Sequence, residues 1–282
     1  MSIKALNKIL LIPSLLNQGF DILIYKVLKN LGIKLKYHSI LERTKYFLEK
    51  KIIKLTKKKV ISGIYKNLNL NCKSNWGGFD FSSKLLGTYE EQVQQKIRDI
   101  AFKNKLKNIV QFGSADGYHI LGLLKNNIFQ NGYAFEKDQK SYKFSLDNKK
   151  RNRIGNRLKI FNEEANLDNV KKKYFDDKNL KKTLFLIDIE GAEYCLFKKS
   201  NIEKYKKSFF IIEDHDFIPY KRKRKQFLNL VNKIFNISFL NNSTRNPFKY
   251  NIIKKFSDDE KWLMMSESRP ESMRWIVMEP KN

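Results

Sequence analysis

From residue 105 onward, short apolar runs alternate with stretches of helical period, and no other feature restricts the fold as strongly. The apolar runs are Asn108–Phe112, Gly132–Phe135, Leu158–Phe161, Thr183–Asp188 and Ser208–Glu213. Helical patterns fall between and after them, around 117–127, 139–151, 166–175, 192–206 and 221–235. Parallel strands need long crossovers, and helices supply them, so this alternation specifies an α/β, doubly wound, mostly parallel sheet with helices on both faces. Two later β-like runs, Ile237–Leu240 and Ser272–Met278, bring the expected sheet to seven strands. A helix is expected to lead into it from Thr88, where Thr88 and Glu91 have capping-box spacing and Tyr89, Val93, Ile97 and Ile100 form a stripe.

Residues 1–87 read as a basic helical extension and connector, and residues 88–282 as the α/β domain. In the extension Leu16, Phe20, Leu23, Ile24, Val27, Leu28 and Leu31 keep the helical period, with Ser14 and Gly32 as end signals. A second stretch, Leu41 to Lys59, mixes apolar residues with many lysines. Such a helix can pack on its own domain or lie on an anionic membrane. Residues 73–87 read as an irregular connector. The chain carries 57 Lys+Arg against 29 Asp+Glu, a formal charge of +28, which opens nucleic acid and anionic membranes as partners. Part of that excess follows from a composition rich in Lys, Asn and Ile and poor in Pro. Cys72 and Cys195 are far apart and show no metal-ligand spacing. No apolar run reaches the roughly 18 residues of a spanning helix, and the apolar run Ile9 to Ile12 stops at Pro13 without a cleavage site. A cytoplasmic protein is expected, with peripheral membrane contact open to it.

Four motifs carry chemistry. Gly113-Ser114-Ala115-Asp116-Gly117 follows the first strand and opens a helix, so the glycines allow a sharp turn and free N–H groups face a polar ligand. Its spacing is not that of the dinucleotide fingerprint. Glu136 ends the second strand, where an acid can hold the two hydroxyls of a nucleoside ribose. Asp188 ends the fourth strand, at the sheet edge where open α/β sheets bind ligands, and Glu193 suits the first turn of the next helix. Glu213, Asp214, His215 and Asp216 end the fifth. Glu213 and His215 share a face if the strand continues, and acids beside His215 would tune it toward general-base work. Of the two other histidines, His119 is expected in the helix after the first turn.

Gly113-Ser114-Ala115-Asp116-Gly117-Tyr118, Asp188-Ile189-Glu190-Gly191-Ala192-Glu193 and Glu213-Asp214-His215-Asp216 together resemble the FkbM-like methyltransferases over roughly residues 105–220. The resemblance implies a Rossmann-like class I fold, S-adenosyl-L-methionine as cofactor, and methylation of an oxygen on a small molecule or glycan. It implies that Gly113, Ser114, Ala115 and Gly117 line the methionine end of the cofactor, that Glu136 holds the ribose, that Glu164 and Ala165 lie near the adenine, and that Asp188 borders both cofactor and acceptor. Gln111 departs from the pattern by standing where such proteins often have an acid. The run Ser266 to Arg269 is also familiar from them, with no chemistry assigned and an ion pair between Glu267 and Arg269 as its simplest reading. Asp188, Glu213 and His215 are the candidate catalytic residues. Carboxylates with an imidazole also suit a divalent ion, although no metal is predicted. The alternatives are an RNA methyltransferase, favoured by charge but lacking an Asn-Pro-Pro-Tyr-type motif after the fourth strand, and a non-catalytic membrane- or nucleic-acid-associated protein that retains the fold.

Overall fold

The computed structural model describes Val27, Asn30 and residues 39–74, 79–168, 170, 177–216, 218–267, 269 and 273–281. The helix expected over residues 14–31 lies outside this set apart from Val27 and Asn30, both helical. The first complete helix is α1 (Ile40–Thr56), opened by a capping box between Ser39 and Glu42. It buries Leu48 and Ile52 and packs against α2 (Phe81–Leu86) and against a late helix, α9 (Asp258–Met265). Leu48 and Ile52 of the Leu41–Lys59 stretch thus pack on the domain, while Leu41 and Leu55 are exposed.

Two expectations before the sheet are corrected. Residues 73–87 are not wholly irregular, because all six residues of α2 are buried in a short helix ended by Gly87 in the left-handed region. The capping box at Thr88 does not form. Thr88 Oγ1 instead donates to Ser83 O at 3.3 Å, completing the end of α2. The next helix, α3 (Glu91–Lys103), begins three residues later, with Val93, Ile97 and Ile100 buried as the stripe predicts.

The sheet then follows: β1 (Asn108–Phe112), α4 (Tyr118–Lys125), β2 (Asn131–Phe135), α5 (Gln139–Arg151), β3 (Leu158–Phe161), α6 (Asp177–Leu180), β4 (Thr183–Ile187), α7 (Glu193–Leu196), β5 (Phe209–Asp214), α8 (Lys221–Val231), β6 (Phe235–Asn241), α9 and β7 (Arg274–Pro280). Its order is β3-β2-β1-β4-β5-β7-β6, parallel except at β7, which is antiparallel to both β5 and β6. Of the helical pattern at 166–175, Leu167, Asp168 and Val170 are helical. The pattern at 192–206 is broken after Leu196, because Asn201 caps the gap: its amide donates to Leu196 O and its oxygen accepts from Lys198 N.

Strand residues alternate between two cores, as the period of two demands. Ile109, Leu184, Leu186 and Ile211 face the core shared with α1 to α4, while Val110, Phe112, Phe185, Ile187, Phe210 and Ile212 face the other. Phe185 and Phe210 stack across β4 and β5 with centroids 4.9 Å apart. The chain leaves β1 toward β2 and β3, then returns to place β4 on the other side of β1. The crevice beyond the carboxyl ends of β1 and β4 is therefore the topological switch point, where doubly wound sheets bind ligands. Among the described residues, no helix is long and apolar enough to cross a membrane.

Candidate functional site

The turn after β1 depends on its two glycines. Gly113 has φ +74°, and a Cβ there would lie 1.7 Å from the carbonyl oxygen of Asp188. Only glycine lets β1 and β4 end so close together, with Asp188 N donating to Phe112 O at 3.0 Å. Gly117, at φ +83°, caps α4, and a Cβ would lie 2.6 Å from Ser145 Oγ. Between them Ala115 N donates to Glu136 Oε2 at 2.7 Å, while Asp138 N donates to Glu136 Oε1 at 2.8 Å. Burial raises the Glu136 pKa and these backbone N–H groups oppose the rise. Each carboxylate oxygen keeps a lone pair for a further donor. Ser114 is buried, and its Oγ has no hydrogen-bond partner among the described residues. Gln111 is committed to the turn itself: its Oε1 accepts from Ile120 N at 3.1 Å and its Nε2 reaches Gly113 O at 3.4 Å. Gly113, Ser114, Ala115, Gly117 and Glu136 thus form one cradle. Glu164 stands apart from it, exposed beyond β3 and 3.6 Å from the equally exposed Lys137.

Across the crevice, β4 and β5 bring the second group together. His215 is 2% exposed, not a surface residue. Its Nδ1 lies 3.0 Å from Glu193 Oε1, which also accepts from Ile189 N at 2.8 Å. Its Nε2 faces three carboxylates: Glu213 Oε2 at 3.4 Å, Glu190 Oε2 at 3.6 Å and Asp188 Oδ1 at 3.9 Å. Glu213 and His215 do share a face. Asp214 points the other way, where it binds Tyr194, Arg224 and Arg274. Burial works to lower the His215 pKa, but the Glu193 contact and the surrounding carboxylates outweigh it, and the net shift is upward. Burial, joined by the charge of Glu213, drives Asp188 well above the usual carboxylate range. Asp188, Glu213 and His215 each offer a ligand atom, all within 4.8 Å of one another, and are the residues that could hold a cation.

The sequence reading missed what lies behind this group. Arg269 reaches Glu90, Glu213 and, at 2.9 Å, Glu267, while Arg245 pairs with Glu267. Glu90 Oε2 lies 2.9 Å from His119 Nε2, and His119 Nδ1 is 3.0 Å from Tyr65 Oη. The run around Glu267 and Arg269 was the available signal, and the ion pair expected there exists as one arm of a larger network. Nothing in the spacing marks Glu90. On the other side of the cradle, buried Lys84 of α2 lies 3.2 Å from Asp116 and 3.4 Å from Asp80. The connector therefore anchors the turn. His119 belongs to α4 as expected.

With cradle and acid–histidine group on opposite banks of the switch-point crevice, the architecture has a name. The fold is Rossmann-like. No protein-family model and no curated sequence matches the chain. Solved structures with similar shape include a precorrin-6y C5,15-methyltransferase from Geobacter metallireducens, at 11% identity and TM-score 0.44, covering 68% of this chain and 89% of that one. An S-adenosylmethionine-dependent O-methyltransferase from Thermotoga maritima is similar at 12% identity and TM-score 0.42, over 67% and 66% of the two chains. A tRNA methyltransferase from B. subtilis is similar at 12% identity and TM-score 0.43, over 67% and 65%. Likeness this distant carries no functional weight, and the fold rests on the strand order itself.

Proposed function

We propose that this protein is an S-adenosylmethionine-dependent methyltransferase of the FkbM-like kind, acting on an oxygen of a small molecule or glycan. The observation that carries the reading is the cradle: a buried strand-end carboxylate, Glu136, hydrogen-bonded to the glycine-flanked turn of the neighbouring parallel strand at the switch point. The residues present fit the cofactor. Glu136 has lone pairs left for ribose hydroxyls, Ser114 Oγ is a buried polar atom without a partner among the described residues, and the turn at Gly113 and Gly117 lets backbone approach a ligand. When bound, the cofactor supplies an electrophilic methyl group.

The chain's own residues do the rest. Methyl transfer needs alignment of the nucleophile above all, and a hydroxyl nucleophile needs a base. His215 is the base, accepting the acceptor's proton at Nε2. Glu193 beside Nδ1 favours the tautomer that leaves Nε2 unprotonated, and it offsets the imidazolium charge that forms. Asp188, pushed toward its protonated form by desolvation and by the charge of Glu213, borders the acceptor as a hydrogen-bond donor, while Arg269 holds Glu213 in an ion pair behind it.

Calorimetry with S-adenosylhomocysteine tests the reading directly. Binding is expected, with NAD giving no heat, and a saturating supply at 100 times the dissociation constant should stabilise the fold by about 2.7 kcal/mol. Clear NAD binding with no response to the adenosyl compound would overturn it. Glu136→Gln should weaken S-adenosylhomocysteine by about 1–3 kcal/mol, a factor of roughly 5–150. Glutamine keeps an acceptor oxygen for one of the two backbone N–H groups, so the thermal midpoint should move far less than with alanine. An unchanged dissociation constant would return Glu136 to a purely structural role at the turn.

A further inference from the structure

A cavity of about 360 Å³ lies away from the site described above, lined by Lys59, Lys125, Arg151 and Arg153 with Asn67, Asn69 and Asn152. Its place in the fold follows from the helices. α4 and α5 start at the cradle edge of the sheet and run back antiparallel to the strands, over roughly 12 and 20 Å at 1.5 Å per residue. Lys125 ends α4 and Arg151 ends α5, so the cavity opens at the amino-terminal edge of the sheet, opposite the crevice.

The walls are built from three separate segments fixed to one another. Residues 58–70 form a hairpin-like excursion, with Val60 N donating to Leu68 O and a bridge between Lys59 and Asn69. Buried Asn152 clamps it to the end of α5: Asn152 Oδ1 accepts from Asn69 N at 2.8 Å and its Nδ2 donates to Asn69 O at 2.7 Å. One helical turn earlier, Asn148 Oδ1 accepts from Asn71 N at 2.7 Å. The backbone segments that carry the cations are therefore fixed to one another around the cavity.

Their charge is largely uncompensated. Arg151 pairs with Asp147 at 3.0 Å. Among the described residues, Lys59, Lys125 and Arg153 have no acidic partner, and Lys125 Nζ reaches only the backbone oxygen of Asn152 at 3.4 Å. Four cations against one acid leave a local charge of +3. Lysine and arginine offer donors and no acceptor, so a ligand here must be acceptor-rich and multiply anionic, which is the chemistry of phosphoryl groups.

We infer that this pocket, on the sheet edge opposite the crevice, binds a polyphosphate-type group such as a diphosphate. The inference does not depend on the methyl-transfer reading, since no residue is shared between the two sites. A diphosphate ester and an inositol phosphate headgroup present the same chemistry, and the test separates them.

The probe is pyrophosphate, titrated calorimetrically into the full chain at about 50 mM salt, where surface electrostatics are least screened. Saturable binding at one site is expected. Lys59→Glu with Arg153→Glu should weaken it tenfold or more, and both residues are exposed, so the fold should keep its thermal midpoint. Lys223→Glu with Lys225→Glu, an equal charge change on the exposed face of α8, should leave it unchanged. S-adenosylhomocysteine affinity, where present, should be the same in all three proteins. Cosedimentation with phosphatidylcholine vesicles carrying 5% phosphatidylinositol bisphosphate, lost in the Lys59/Arg153 variant, would assign the headgroup as the source. Pyrophosphate binding without cosedimentation would assign a free phosphorylated ligand. No saturable binding, or equal weakening by the α8 variant, would overturn the pocket and leave only the diffuse attraction of a +28 chain.

Discussion

Arg269→Ala should cost this protein about 3–5 kcal/mol of stability, the range measured when one member of a buried ion pair is removed. Arg269 is the shared counter-ion of Glu90, Glu213 and Glu267, whose side chains are 2–4% exposed. Those acids come from the start of α3, the end of β5 and the segment before β7, so one guanidinium ties three distant parts of the chain. Its five donors in a planar fork allow this, and lysine offers a point charge instead. Arg269→Lys should therefore recover only part of the loss. For a chain of this size the alanine variant should melt lower by about 10 °C. The acid limb gives a second readout. Burial pushes the Glu90 pKa up, yet Arg269 and His119 outweigh it and hold it at about 2, below its ordinary 4.5. A depressed carboxyl pKa stabilises the fold above the unfolded value and loses that contribution as pH falls toward the folded one. Wild type should therefore lose this part of its stability between about pH 4.5 and 2, and Arg269→Ala should have little of it to lose. Equal melting temperatures for the two proteins at pH 7 would refute the role.

That network also marks the limit of what the sequence discloses. The strands were legible because each is a short apolar run bounded by turn residues, and β1 and β3 fall at the expected residues. The ends of β4 and β5 were legible because acids and a histidine stand where apolar runs stop. Helix α2 was not, since Phe81-Ser82-Ser83-Lys84-Leu85-Leu86 has no apolar period: Ser83 and Lys84 are buried for reasons of tertiary contact, Lys84 by its pairing with Asp80 and Asp116. Thr88 looked like a cap because a capping box is a local signal, but the end of α2 claimed its hydroxyl first. Glu90 could not be singled out, because its partners lie 29 and 179 residues away. Local rules find elements and strand ends. Buried charge networks are properties of the closed fold.

His215→Ala should lower turnover by about 10²–10⁴, the usual contribution of a positioned general base, while S-adenosylhomocysteine affinity stays within about a factor of two, since an imidazole across the crevice from the cradle should add little to cofactor binding. The assay is release of S-adenosylhomocysteine against a panel of hydroxylated small molecules and glycans. Because the carboxylates around His215 raise its pKa above the ordinary 6.5 despite burial, the rate should climb with pH through a midpoint above that value, as a base must first lose its proton. The same shift has an opposite sign for stability. A histidine whose folded pKa is raised stabilises the fold below the unfolded value and loses that contribution as pH rises through the folded one. The melting difference between wild type and variant should then shrink over the pH range in which turnover rises. His215→Gln keeps a hydrogen-bond donor near Glu193 and cannot serve as a base, so it should fold well and remain as slow as alanine. Unchanged turnover in both variants would remove His215 from the chemistry. Loss of activity in chelator, restored by Mg²⁺ or Mn²⁺, would give Asp188, Glu213 and His215 to a cation instead, because an imidazole nitrogen that ligates a metal has no lone pair left for a proton.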